Sequence, residues 1–344
     1  MSASLTLIMA AWNAEKYIER SVKSVLNQTY RDLELIVVND GSTDGTEALL
    51  SRMAAEDGRL RPVTTVNGGP GKARNLALER LSPETKYLMF IDADDELLPD
   101  AAETAVAAAE AGADLVLFGF SILAMDGGQR DYCEPGQTLD RSTLGAALGR
   151  LYKANLLNQI WAKLFRADMI RSEKIRFPDY RWGEDRFFVF DCLERAQRVT
   201  VLPDCLYRYI MHEGESLISK YYDKKFAVCL AIDQRMEAMC RELKVADESD
   251  FRYMFAKSVF SCLTTLFASS CPLTAAEKKA AAREIAENEQ VRRRCRDCSG
   301  GLPVKVLCTV LRTGSPTLIL PVFRTVARAG EMLPDLFMAL KHRK

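Results

Sequence analysis

Tyr87-Leu88-Met89-Phe90-Ile91-Asp92-Ala93-Asp94-Asp95 sets five apolar or aromatic residues against three acids in the next four positions. Residues 87–91 are short, apolar and aromatic-rich, the pattern of a buried strand. In an extended backbone side chains alternate, so Asp92 and Asp94 are expected on one side and Ala93 on the other. Carboxylates that close repel unless a cation lies between them. All-oxygen ligands suit a hard ion such as Mg²⁺ or Mn²⁺, which substrate phosphates usually complete. A solvated turn ahead of a helix near Pro99 is the competing reading, because Asp favours turns and first helical turns.

Around this strand the pattern repeats. Residues 5–9, 33–38, 60–66 and 115–120 read as further strands, with helical patterns over 15–28, 46–55, 71–81 and 101–111. The first helix keeps Tyr17, Ile18, Val22, Val25 and Leu26 on one face, with Asn13 as its N-cap candidate. Strands alternating with helices predict an α/β domain with a mostly parallel sheet and flanking helices. Ligands of such sheets bind beyond the carboxyl ends of the strands. The polar clusters all fall there: Trp12-Asn13, Asn39-Asp40-Gly41-Ser42, Asn67-Gly68-Gly69-Pro70-Gly71 and Asp92-Ala93-Asp94-Asp95. Four clusters on one edge favour a site over four separate turns. Farther on, 144–158 reads as helix, 199–209 as strand, and 222–289 as mainly helical.

Composition narrows the function. The 344 residues suffice for about two domains. The 47 basic side chains balance 47 acidic ones, so no nucleic-acid partner is expected. Residues 291–344 hold 11 Lys/Arg against 3 Asp/Glu, a basic tail that leaves the rest of the chain at −8. Ten cysteines show no regular spacing and no signal peptide is read ahead of the first strand, so reduced thiols in the cytoplasm are expected. Cys295-Arg296-Asp297-Cys298 is a lone CxxC without a second pair. Two histidines leave little for zinc, and no apolar run reaches the length of a bilayer span.

Several residues carry candidate chemistry. Glu184 and Asp185 lie between Trp182 and Phe187-Phe188. Beside bulky aromatics a carboxylate pKa rises, which suits a general base acting on a hydroxyl; capping a helix that starts near Arg186 is the alternative. The loop Gly68-Gly69-Pro70-Gly71-Lys72-Ala73-Arg74 lacks both the GxxxxGK[ST] and GxGxxG spacings. Its free backbone donors before a helix still suit an anion, with Lys72 or Arg74 in support. Lys163, Arg208 and His212, with Arg166, are candidates for balancing a diphosphate. Trp12 and Trp161 read either as core or as stacking platforms.

In their order these segments resemble glycosyltransferase family 2, the inverting sugar-nucleotide transferases of GT-A fold, over residues 4–215. The resemblance rests on Leu7-Ile8-Met9-Ala10-Ala11-Trp12-Asn13, Leu26-Asn27-Gln28-Thr29-Tyr30, Val38-Asn39-Asp40-Gly41-Ser42, Gly71-Lys72-Ala73-Arg74-Asn75, Asp92-Ala93-Asp94-Asp95, Trp182-Gly183-Glu184-Asp185, and Leu206-Tyr207-Arg208-Tyr209 with Ser216. It implies that Asp40 bonds the nucleobase, with Ala10 and Trp12 lining the base pocket beside Asn13. Asp92 and Asp94 would face the ribose and a divalent metal, Mn²⁺ or Mg²⁺, and Asp95 would be a further ligand candidate. Asp185 would deprotonate the acceptor hydroxyl and Glu184 would position the acceptor. Gly71, Arg74, Trp161, Lys163, Arg208, His212 and Ser216 complete the expected substrate-binding set. Two departures stand out: Ala10-Ala11-Trp12 replaces Pro-Val-Tyr, and Asn39 replaces the first acid of the Asp-Asp pair.

The implied enzyme is a hexosyltransferase of class EC 2.4. It would move a sugar from a nucleotide diphosphate donor, by default UDP, to a glycan or lipid-linked acceptor in cell-surface polysaccharide assembly. Expected boundaries are a catalytic domain over 1–217, its nucleotide-sugar half about 1–120 and its acceptor half about 121–217, then a helical region over 218–344. The tail pattern of Val304, Val306, Leu307, Val310 and Leu311, then Leu318 to Phe323, and Leu333, Leu336, Phe337 and Leu340 suits either peripheral contact with the inner face of the cell membrane or packing on the core. Homo-oligomerisation is left open. A catalytically inactive nucleotide-sugar-binding or protein-interaction relative is the alternative from another class, and intact Asp92, Asp94 and Asp185 weigh against it. A nucleotidyltransferase would need a Gly-rich basic loop where Ala10-Ala11-Trp12-Asn13 stands.

Overall fold

The computed structural model describes residues 3–212, 221–295, 298, 300–313 and 316–332, and the chain divides into two units. One comprises Met1–Ala147 with Ala154–Glu213, the other Leu148–Lys153 with Gly214–Lys344.

The first unit carries all strands found among the described residues. In chain order they are β1 (Leu5–Ala11), β2 (Leu33–Asp40), β3 (Leu60–Thr65), β4 (Tyr87–Asp92), β5 (Glu96–Leu97), β6 (Leu115–Leu123), β7 (Gln129–Tyr132), β8 (Gln137–Asp140), β9 (Lys163–Arg166) and β10 (Arg198–Ile210). The connecting helices are α1 (Ile18–Leu26), α2 (Thr46–Glu56), α3 (Pro70–Leu78), α4 (Ala101–Glu110), α5 (Arg141–Lys153), α6 (Ala167–Ser172) and α7 (Glu184–Arg195). One sheet runs β3-β2-β1-β4-β9-β6-β10-β5, with β7 on β6 and β8 on β10. β3, β2, β1 and β4 are mutually parallel. The order turns back between β1 and β4, so their carboxyl ends border a crevice.

Both faces of the parallel strands are covered, which explains why Leu5, Leu7, Ile8, Met9 and Leu35 to Val38 are fully buried and read as unbroken apolar runs. Each such side chain contributes roughly 1.5–3 kcal/mol by leaving water. α1 buries Ile18, Ser21, Val22, Val25 and Leu26, a helical stripe facing the sheet.

Local expectations differ from the structure in three places. Asn13 does not cap α1, whose N-cap is Tyr17; Asn13 instead sits at φ +48°, tied to the loop after β2. The helix expected over 144–158 ends at Lys153, and Asn155 follows at φ +63°, a conformation that stops a helix and that Asn tolerates. β9, a short antiparallel strand wedged between β4 and β6, is invisible to a periodicity reading because only four residues pair.

In the second unit, α8 (Lys225–Glu242), α10 (Ala275–Glu287), α11 (Glu289–Cys295), α12 (Leu302–Thr313) and α13 (Pro316–Met332) pack around α9 (Ser249–Thr265). Val304, Leu307, Val310, Ile319 and Phe323 are buried there, so the apolar stripe of the tail serves packing in the described residues. Leu333, Leu336, Phe337 and Leu340 lie outside them. The Cys298 thiol donates to the Arg294 carbonyl and the Cys308 thiol to that of Cys295; none of these cysteines is in a disulfide. Thr274 and Glu277 close a capping box at the start of α10. No helix among the described residues is long and apolar enough to cross a membrane.

Candidate active site

At the end of β2, Asp40 is 3% exposed. Its Oδ1 accepts from Gly68 N and its Oδ2 from Gly69 N, each at 2.8 Å. Gly69 stands at φ +92°, where a side chain would be strained. Asp40, expected to bond a nucleobase, therefore first of all builds the loop that leads into α3. Asn39 Oδ1 accepts from Ser42 N, and Asn13 holds the same loop through Ser42 Oγ and Thr43 N. Trp12 presents an indole 60% exposed at the end of β1. Ala10 lies level with Val38 on one side and Asp92 on the other.

β4 stops at Asp92, so the strand alternation expected to reach Asp94 does not. Residues 92–95 close a turn, with Asp95 N donating to the Asp92 carbonyl at 3.2 Å. The Asp94 side chain on this turn is 45% exposed, and His212 Nε2 lies 3.9 Å from its Oδ2. Burial and the Asp92 charge push the Asp94 carboxyl up. Arg20 Nη2 fixes the Asp94 carbonyl at 2.8 Å, and the Tyr17 ring stacks on His212 at 4.0 Å.

Asp95 as a third metal ligand is corrected. It is fully buried, its Oδ2 accepting from Tyr207 Oη at 2.7 Å and its Oδ1 from Ile210 N at 2.9 Å. Burial, with Asp92 and Asp94 adding repulsion, holds its pKa well above the ordinary range. Among the described residues no three His, Cys, Asp or Glu side chains form a metal cage. Asp94 and Asp92 still offer hard oxygen donors. One or two carboxylates suit Mg²⁺ or Mn²⁺ completed by substrate phosphates and water, and do not suit zinc.

Arg74 joins the two sides of the crevice. It projects from α3 and is 5% exposed. Its Nη2 donates to Asp92 Oδ1 at 2.8 Å and its Nη1 to Asp185 Oδ1 at 2.7 Å, with Glu184 Oε1 at 3.5 Å from Nη1. The guanidinium also stands over the Phe177 ring at 5.5 Å. Glu184 and Asp185 form the first turn of α7, after Gly183 at φ +83°. The helix dipole favours their negative charge, while burial opposes it. Burial, then the Asp185 charge, raises Glu184 to about 7, against the pull of Arg74. Asp185 is raised by burial as well, with Arg74 opposing. Its Oδ2 also accepts from Ile160 N at 3.3 Å.

Gly71, expected to bind substrate, sits where α3 meets α7: a Cβ there would touch Glu184 Cγ and Phe177 Cβ, each at 3.4 Å. Its first role is close packing. Lys163, expected to balance a diphosphate, is corrected: it is fully buried in β9, and its Nζ donates to the Trp161 carbonyl at 3.1 Å. Trp161 is 8% exposed and stacks on Tyr207 at 4.5 Å and Tyr209 at 5.8 Å, a wall more than a platform. Arg208 is half-exposed and shares Glu96 with Arg20, at 3.5 and 2.9 Å. Ser216 lies outside the described residues.

Comparison with known proteins matches residues 6–157 to the glycosyl transferase family 2 model. An uncharacterized glycosyltransferase of Haemophilus influenzae is 31% identical over 229 residues, 62% of this chain and 67% of that one. The chain belongs to glycosyltransferase family 2. A second family relative, the putative glycosyltransferase EpsH of Bacillus subtilis, is 29% identical over 248 residues, 71% of each chain. Among solved structures, S. aureus TarS 1-349 in complex with UDP-GlcNAc aligns with a TM-score of 0.63 at 21% identity, over 96% of this chain and 92% of that one. The sheet and its flanking helices are thus the GT-A fold of this family.

Within this family-2 frame, the structure brings Asp92, Arg74, Glu184 and Asp185 into one hydrogen-bonded group, and Asp94 and His212 into another beside it. Sequence reasoning missed Tyr207 as the post under Asp95, Arg20 as the clamp on Asp94, and Ile160 N as a donor to Asp185. Tyr207 lies within a quoted motif, but only the β10–β5 pairing reveals its partner. A backbone N–H leaves no signal in residue identity.

Proposed function

We propose that this glycosyltransferase moves a sugar from a nucleoside diphosphate donor, a UDP-sugar, to a hydroxyl of a glycan or lipid-linked acceptor, with inversion. The observation that carries the proposal is the Arg74 bridge, because it holds a donor-side carboxylate and an acceptor-side carboxylate on one buried cation. The nucleobase would lie between Trp12 and the loop anchored by Asp40, and the diphosphate near Asp92, Asp94, Arg208 and His212. Asp185 would take the proton of the acceptor hydroxyl as that oxygen bonds to the anomeric carbon. The bond from that carbon to the phosphate oxygen breaks and the nucleoside diphosphate leaves. A single displacement of this kind inverts the anomeric centre. A base in hydrogen-bond reach contributes about 10²–10⁴-fold. A divalent ion at Asp94 and Asp92 would supply charge neutralisation for the leaving diphosphate.

TarS, the poly(ribitol-phosphate) β-N-acetylglucosaminyltransferase of Staphylococcus aureus, also supports the donor class, and the chain spans 37% of its length at 28% identity. A lipid-linked acceptor in cell-surface polysaccharide assembly would bring the protein to the cytoplasmic face of a membrane. The exposed Lys305, Arg312, Arg324 and Arg328 on α12 and α13 then suit electrostatic contact with anionic headgroups.

The test is a calorimetric screen of UDP-, GDP- and dTDP-sugars with and without Mn²⁺. Tight binding of a UDP-sugar that needs the ion supports the reading. Metal-independent binding sinks the ion, and no binding of any nucleotide sugar sinks the donor class.

A further inference from the structure

The turn Ile160-Trp161-Ala162-Lys163 has no part in the chemistry above, yet it lies directly behind Asp185. Its first residue donates Ile160 N to Asp185 Oδ2 at 3.3 Å. Ala162 is held at φ +56°, a left-handed conformation that a residue with a Cβ rarely adopts, and it is 2% exposed. The turn is kept in that shape from three directions. Phe118 N donates to the Ala162 carbonyl at 3.2 Å, the Trp161 indole stacks on Tyr207, and Lys163 Nζ donates to the Trp161 carbonyl. A strained backbone persists only where its surroundings over-determine it, and such places cluster at functional sites.

Lys163 is the unusual member. A fully buried lysine at the centre of a sheet loses its hydration and would be replaced easily by an apolar residue if only packing were needed. Its Nζ hydrogen bond closes the turn, and among the described residues Asp185 is the charged side chain that stabilises its ammonium. Resting on the assignment of Asp185 as the base, we propose that Lys163 is a positioning residue for it. Lys163 closes the strained turn that aims Ile160 N at Asp185 and places a buried cation behind that carboxylate.

The charges acting on Asp185 come from four elements: Arg74 on α3, Asp92 on β4, Glu184 on α7 and Lys163 on β9. Arg74 binds the front oxygen and is shared with Asp92, whereas Lys163 acts on Asp185 from the other side of the turn. Burial pulls the Lys163 ammonium down to about 7 and Asp185 pulls it back up. Below that pH the lysine is charged and holds Asp185 ionised to a lower pH than burial alone would permit. Removing the charge therefore moves the Asp185 midpoint upward.

The experiment reads this coupling without needing substrate. Protein labelled with ¹³C at the Asp carboxyl carbons is titrated by NMR, with Asp185 assigned from Asp185→Asn. In Lys163→Met the Asp185 midpoint should rise by about one pH unit, and in Lys163→Arg it should stay near that of the native protein. An unchanged midpoint in a folded Lys163→Met protein overturns the proposal. Should that variant fail to fold, the reciprocal measurement decides: the Lys163 ¹³Cε midpoint in Asp185→Asn must fall relative to the native protein, since coupling works equally in both directions. No fall overturns it. If the coupling is present but Asp185→Asn retains sugar transfer, the positioning holds and the assignment of the base fails instead.

Discussion

The proposed donor and acceptor sides of the crevice are built from the same kinds of residue, joined over different distances along the chain. On the proposed donor side, Asp40 and Asp92 sit at the carboxyl ends of β2 and β4, the parallel strands that flank β1, and their partners lie on the loop before α3 and on α3 itself. On the proposed acceptor side, Glu184 is buried and Asp185 largely so, and Asp185 is completed from distant stretches by Arg74 and by Ile160 N of the strained turn that leads to the buried Lys163. Ionisation is displaced on both sides, wherever a charged group is buried. Glu184 rises to about 7, Lys163 falls to about 7, and Asp95 is held well up. Perturbed ionisation is enriched at functional sites, and Glu184 and Asp185 form such a pair.

Breaking the bridge should have the largest effect, because it injures both sides. Arg74→Met leaves Asp92 and Asp185 without their shared cation, and we expect a loss of about 3–5 kcal/mol in unfolding free energy. Denaturant titration measures this. A stable variant with normal turnover would show the two sides to be independent.

Asp185→Asn should strike the acceptor side alone. Transfer should fall by about 10²–10⁴-fold while nucleotide-sugar affinity holds. Paired kinetics and calorimetry separate the two, and a parallel loss of binding would erase the distinction between the sides. Asp94→Ala should do the reverse for the ion, abolishing any Mn²⁺ dependence of nucleotide binding with little change in melting temperature, since its side chain is 45% exposed.

Glu184 sharpens the electrostatic contrast. Its folded pKa is raised above its unfolded value, so it contributes stability that is complete below about 4.5. That contribution disappears as pH rises through about 7. Between pH 4.5 and 7 the native protein should lose melting temperature relative to Glu184→Gln. Parallel melting curves would contradict the assignment. The smallest effect belongs to the exposed donor rim: Trp12→Ala should weaken nucleotide binding by about 0.5–1.5 kcal/mol and leave the melting temperature unchanged.

How legible each side was follows from the range of its interactions. Alternating apolar runs and helical stripes located β1 to β4 and β6, because periodicity is a property of neighbouring residues. The pair Glu184-Asp185 was legible as candidate chemistry for the same reason. The four-residue β9 was not, and neither was the turn that closes residues 92–95, since strand alternation was extended past the point where pairing stops. Asp95 looked like its neighbours in sequence and is instead buried on the Tyr207 hydroxyl, while Lys163 read as a cation for a diphosphate and lies buried in the sheet.

Taken alone, the chain determined its alternation of strands and helices, the polar clusters at the strand ends and the residue types of a sugar-nucleotide site. These are set by local backbone preference and by the side each residue turns toward the core. Only the tertiary structure decided which carboxylate meets Arg74, which is sealed from water and which lies open to an ion. The physical reason is that a carboxylate's charge state depends on burial and on the cation beside it, and both arrive from parts of the chain that sequence does not place side by side.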